Sequence, residues 1–174
     1  MKSRKKVIIF VTTWFVLVLA IWGVTQVISK NTIRNAVFRS VFYPVYSIAD
    51  NQSGWHFMIY LDVKACLACT EDMSAWKELE ERLPECGASF SLFAPQSDSF
   101  DVAYAMELEG LKTQVRVLGK ETLDSLGWTD KRTPIKVLLD NSYQPLNIKY
   151  SMSNPKEARQ YLEQLLSEVC INNE

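Results

Sequence analysis

Histidine is almost missing from this chain of 174 residues: His56 is the single imidazole. A structural zinc site usually needs four Cys or His ligands. Cysteine is also scarce, at four residues, and two of those, Cys86 and Cys170, stand alone in the sequence. Glycine and proline number six each, and there is no repeat or low-complexity tract, so the chain reads as a folded domain and not a linker or fibrous protein. Charge of one sign is missing too. The formal net charge of −1 excludes a basic field for nucleic acid and an acidic tract for a cationic partner.

Long apolar runs are present at one end. Lys2, Arg4, Lys5 and Lys6 precede an uncharged stretch, VIIFVTTWFVLVLAIWGVTQVI, at 7–28. As a helix these residues span ~33 Å, against ~30 Å for a hydrocarbon core. The run is longer than the apolar part of a cleaved signal. It predicts a retained transmembrane anchor at 7–28, with residues 1–6 cytoplasmic and the rest extracytoplasmic, periplasmic or at the cell surface. Residues 29–52 then form a juxtamembrane stalk. Ile33, Val37, Phe38 and Val41 fall at helical spacing, and Pro44 is expected to interrupt the helix. Phe42, Tyr43 and Tyr46 either rest at the lipid interface or belong to an extra helix packed on the domain that follows.

That domain, 53–174, alternates in type. WHFMIYLDV (55–63) suits a buried strand. Residues 67–83 place Met73, Trp76, Leu79 and Leu83 on one helical face, ended by Pro84. Strands are predicted at 88–94, 113–118, 134–140 and 145–150, the last two forming a hairpin about NSYQ. Helices are predicted at 98–110 and 120–128. A last helix starts at Asn154, with Pro155 at its first position and an apolar stripe of Ala158, Tyr161, Leu162, Leu165 and Val169. The order β-α-β-α-β-α-β-β-α predicts an α/β sandwich with parallel strands and crossover helices.

Between the first strand and its helix stands ACLAC, with Cys66 and Cys69 two residues apart. The pair is a redox centre, half of a metal site, or two inert sulfurs. At a helix start, the first sulfur lies near unpaired N–H groups and the positive end of the helix dipole, which favour the thiolate. Cys66 is then the nucleophile, and Cys69, one turn further in, resolves the mixed disulfide. Lys64 would lower the Cys66 pKa further, while Glu71 and Asp72 act the other way. His56, at the start of the first strand, is a structural or surface residue.

ACLAC after an apolar strand, Thr133-Pro134 before a late strand, and the element order together resemble thioredoxin-like proteins. The resemblance covers about 55–170 and is closest to the membrane-tethered TlpA/redoxin-type branch, which carries an extra α/β insertion before its Thr-Pro. It implies a three-layer α/β/α sandwich and thiol-disulfide exchange with protein substrates, supported by a membrane or extracytoplasmic electron donor and requiring no cofactor, metal or nucleic acid. By the same resemblance Cys66 attacks, Cys69 resolves, Pro134 is a cis-proline facing the disulfide, and Thr133 pairs with an extended substrate. Trp128 lines a substrate groove or packs in the core. In such a fold the first helix of the domain and the last both end at the pole opposite Cys66, which predicts a structural Cys86–Cys170 disulfide. The chain departs from the pattern at Ala65, where an aromatic is usual, at Leu67-Ala68 in the spacer, and at Tyr60, where many members hold a buried acid. A non-catalytic interaction module of the same fold, with a structural CxxC, is the alternative.

Overall fold

The structure, a computed structural model, describes residues 2–47, 54–62, 73–129, 131, 133–150 and 155–171. The chain divides into two compact units, residues 1–36 and 37–174. The first is helical throughout its described length, the beginning of α1, which runs Lys2–Ser47. Trp14–Pro44 is long and apolar enough to cross a membrane, with a mean hydropathy reaching 1.4. Its large side chains from Trp14 to Ile28 are exposed, and Thr25 Oγ1 returns a 2.8 Å hydrogen bond to the Trp22 carbonyl.

The second unit is built on a five-stranded sheet. Its strands are β1 (His56–Tyr60), β2 (Ser89–Pro95), β3 (Val115–Leu118), β4 (Ile135–Leu139) and β5 (Pro145–Lys149). They lie in the order β3-β2-β1-β4-β5. β1, β2 and β3 are parallel, whereas β4 runs antiparallel to β1 and to β5. Every residue of β1 and β4 is buried, as expected of central strands covered on both faces.

Side chains alternate across each strand, so the sheet has two cores. On one face Phe57, Ile59, Leu61, Leu92 and Leu138 meet the stripe Met73, Trp76, Leu79 of α2 (Met73–Arg82), together with Leu83 just beyond it. Tyr161, Leu162, Leu165, Leu166 and Val169 of α5 (Pro155–Ile171) cover the same face, as do Val102 and Met106 of α3 (Ser99–Leu108). Pro84 does not simply stop α2; it opens a short 3-10 turn, Pro84–Cys86. The predicted helix cap at Asn154 lies outside the described residues. Glu80 of α2 accepts the Lys112 N–H at 3.0 Å and bonds Thr113, tying the helix to the loop before β3.

The other face holds Met58, Tyr60, Phe93, Ile135, Val137 and Leu139 under Leu123 of α4 (Lys120–Leu126). Its remaining cover comes from Phe38 and Phe42 of α1, both essentially buried. Of the two readings open for Phe42, packing on the domain is the one found. The Phe42 ring lies 5.6 Å from Phe93, edge on, and Phe38 lies 5.8 Å from Trp128. The helix also continues through Pro44. Proline removes one hydrogen bond to the carbonyl four residues back, and so near the helix end one lost bond does not break the turn.

Cys86 and Cys170 form a disulfide with Cα atoms 4.8 Å apart. They close a loop 84 residues long, for which chain entropy gives ~4–5 kcal/mol. The bridge lies at the end of the sheet where His56 pairs with Ser89. There His56 Nδ1 and Ser89 Oγ share a 2.6 Å hydrogen bond, and the Tyr143 ring stacks on the imidazole at 5.1 Å. Of the structural and surface readings open for His56, the structural one is found.

Candidate functional site

The opposite end of the sheet holds the candidate site. β1 ends at Tyr60, and the Leu61 N–H still reaches the Phe93 carbonyl at 2.8 Å. β4 begins at Ile135, the pairing partner of Tyr60. Antiparallel register therefore sets the residues after Tyr60 beside those before Ile135. Thr133 Oγ1 donates a 3.0 Å hydrogen bond to the Asp62 carbonyl. Thr133 is 1% exposed, so this bond satisfies a hydroxyl that burial would otherwise penalise. The Thr133–Pro134 peptide is cis, as the resemblance implied.

Cys66 and Cys69, with Lys64, Ala65, Glu71 and Asp72, lie outside the described residues. What is described is the frame around them. The chain leaves the sheet at Asp62 beside Thr133, and it re-enters as α2 at Met73, whose side chain is buried with Ile59 and Leu61.

Trp128 is no groove residue. It is 2% exposed and packs on Tyr60 at 5.6 Å, beneath Phe38 and Phe42. Gly127 closes α4 in the left-handed conformation at φ 69°. Trp128 follows directly, its N–H bonded to the Leu123 carbonyl at 2.9 Å. Of the two readings open for this ring, core packing is the one found.

Tyr60 occupies the position where a buried acid was expected from the resemblance. Burial, then the charges of Asp62 and Asp98, push its phenol up to about 12. It stays protonated at neutral pH and is no proton acceptor there. Asp62 is only half-buried.

The buried lysine that sequence reasoning missed is Lys136. It lies one residue into β4 and is 0% exposed. Its signal was present: a lysine inside IKVLL, a run otherwise fit for a strand buried on both faces. Among the described residues, no group of three or more His, Cys, Asp and Glu is placed to hold a metal ion.

No protein-family model matches the sequence, and no curated protein does. Solved structures do match in shape. A putative thiol:disulfide interchange protein DsbE from Chlorobium tepidum superposes with a TM-score of 0.57 at 13% identity, over 70% of this chain and 84% of its own. A thioredoxin-like protein in its oxidised form gives 0.54 at 14% identity, over 70% and 81%. The thioredoxin domain of a thiol-disulfide oxidoreductase from Bacteroides vulgatus gives 0.52 at 12% identity, over 66% and 81%. The fold is thioredoxin-like. At these identities the likeness concerns the thioredoxin-like fold alone, and within it Thr133–Pro134 and the end of β1 form one corner.

Proposed function

We propose that this chain is a membrane-tethered, extracytoplasmic thiol-disulfide oxidoreductase that acts on protein disulfides through Cys66 and Cys69. The observation that carries the reading is the corner just described. Thr133 is hydrogen-bonded to Asp62, which sets Thr133–Pro134 beside the strand end from which the CxxC segment departs. The thioredoxin-like shape and the apolar length of α1 support it.

In the reductive direction, the Cys66 thiolate attacks one sulfur of a client disulfide. The other client sulfur leaves as a thiolate and takes a proton. Cys69, deprotonated, then attacks the Cys66 sulfur, which forms the Cys66–Cys69 disulfide and releases the second client thiolate. Two electrons pass to the client, and a membrane or extracytoplasmic donor restores the dithiol. Thr133 offers backbone groups to an extended client, and α1 holds the centre near the bilayer.

The test uses the full chain in detergent. Glutathione redox buffers, alkylation and peptide mapping separate the Cys66–Cys69 pair from Cys86–Cys170. A reversible two-electron couple at Cys66–Cys69, with a Cys66 pKa below the ~8.5 of free cysteine, is the expected result. Unreactive sulfurs would make the interaction module the better account, a reading favoured by the un-ionised Tyr60 in the acid's position. A reporter active only outside the cytoplasm, fused after Glu174, checks the sidedness.

A further inference from the structure

We propose that the outer edge of β3, with the groove between it and α3, is where a second copy of this chain docks, so that two five-stranded sheets join through antiparallel β3 strands. The two edges of the sheet differ in how they are protected. A strand at a sheet edge offers unpaired N–H and C=O groups to any other chain, and proline, charge and irregular pairing are what blunt it. β5 carries Pro145, which has no N–H, and Lys149, and its pairing with β4 slips between Leu138 and Leu139. β3 reads VRVL, without proline, and pairs with β2 in unbroken register. Its one charge, Arg116, is registered with Phe93 and so shares the face of the aromatic core. Among the described residues, no strand covers the outer side of β3.

The other face of β3 is apolar and open. Val115 and Val117 are registered with Leu92 and Ala94, on the side of α3. Val117 is 49% exposed. Beside it runs a groove of about 480 Å³, walled by Phe100, Ala103 and Met106 of α3 and by Val115 and Val117 of β3. Phe100 is 80% exposed and Tyr104, one helical turn on, is 58% exposed. They project from the side of α3 opposite Val102 and Met106, which are buried against the sheet. A helix apolar on two sides has a second surface to bury. Phe100, Tyr104 and Val117 leave roughly 350 Å² open, most of the ~500 Å² of apolar surface that each partner gives to a standard interface.

These two features together select the partner. A lone extended peptide would satisfy the edge of β3 and leave the rings of α3 uncovered. A partner fit for both carries a helix layer behind its own edge strand, and a second copy does. A two-fold axis perpendicular to the sheet sets β3 on β3 and α3 beside α3. Side chains directly opposite on antiparallel strands share a face, so such an axis passes through a residue paired with itself. Two registers of this kind pair most of the strand, one centred on Arg116 and one on Val117. Like charges directly opposite repel, so the axis falls at Val117, and Arg116 stands opposite Leu118 of the second copy. The surrounding charges are of both signs: Asp101 and Glu107 on α3, Lys112 before β3 and Lys120 after it, all exposed. The face therefore carries no single-sign field that would repel its own copy.

Sedimentation of the full chain in detergent tests this, together with the photo-crosslinker p-benzoylphenylalanine in place of Phe100, its adducts mapped by mass spectrometry. The native chain is expected to be a dimer at micromolar concentration, with adducts on α3 or β3 of the other copy. Val117→Lys, which sets two ammonium groups at the axis, and Phe100→Glu should each weaken the dimer about a hundredfold. Both positions are exposed in the single copy, so circular dichroism and the urea midpoint should stay native. Val117→Thr, still branched at Cβ, should dimerise nearly as the native chain does. A native chain that sediments as a monomer overturns the proposal, and so do adducts on lipid or detergent alone. A dimer that both charged variants leave at native strength overturns it as well, because another surface then holds the copies together. Should Val117→Lys not fold, Phe100→Glu and the adduct map decide.

Discussion

The two faces of the sheet are covered by different parts of the chain. One is closed by α2, α3 and α5, all from within residues 73–171, and the Cys86–Cys170 bridge fastens it. The other is an aromatic cluster whose outer layer, Phe38 and Phe42, arrives on α1 from before the first strand. Among the described residues, the first face is covered from within 55–171. The second is finished by Phe38 and Phe42, which precede the first strand in the chain.

That contrast is most severely tested by removing the borrowed layer. Phe38→Ala with Phe42→Ala should cost the most, since each large-to-small change in a core costs ~3–5 kcal/mol. In a chain that keeps Trp128 and has its other four tryptophans replaced by Phe, the fluorescence should shift to the red as the cover is lost, and the same chain begun at residue 53 should show the same shift. An unshifted spectrum would mean that the aromatic face closes without α1. Next comes the bridge. Cys86→Ser with Cys170→Ser should lower stability in urea by ~2–4 kcal/mol and leave the Trp128 spectrum in place. The smallest effect concerns pH. The Tyr60 phenol is raised in the folded state to about 12 from 10.0. Folding thus favours its protonated form, and that stability is complete below pH 10 and lost as pH rises toward 12. Tyr60→Phe should flatten that part of the stability profile; an unchanged alkaline limb would show that Tyr60 does not titrate there.

How much of this was legible in the sequence follows the same division. β1, β4 and the stripe of α2 could be read because local periodicity matches what buries them. Thr133-Pro134 and the CxxC could be read as short motifs, although the cysteines themselves lie outside the described residues. The stripe at Phe38 was visible too, but spacing reports an apolar face without saying whether lipid or protein covers it. Trp128 was ambiguous for the same reason, since its cover is far away in the chain. Lys136 was missed because a lysine in a strand ordinarily reads as solvent-facing. The run IKVLL signalled a buried strand, and the central position of β4 under helices on that face makes the lysine interior.

The Cys86–Cys170 bridge also sets a timetable. During synthesis Cys86 emerges 84 residues ahead of its partner, with Cys66 and Cys69 already out. For that interval the nascent chain carries three sulfurs with no native match for Cys86 among them. The correct match exists only once α5 has been made and laid across the sheet. Closure of this covalent ring is therefore a late checkpoint in biogenesis, and ribosome-bound chains stopped before Cys170 should be the ones most prone to mispairing.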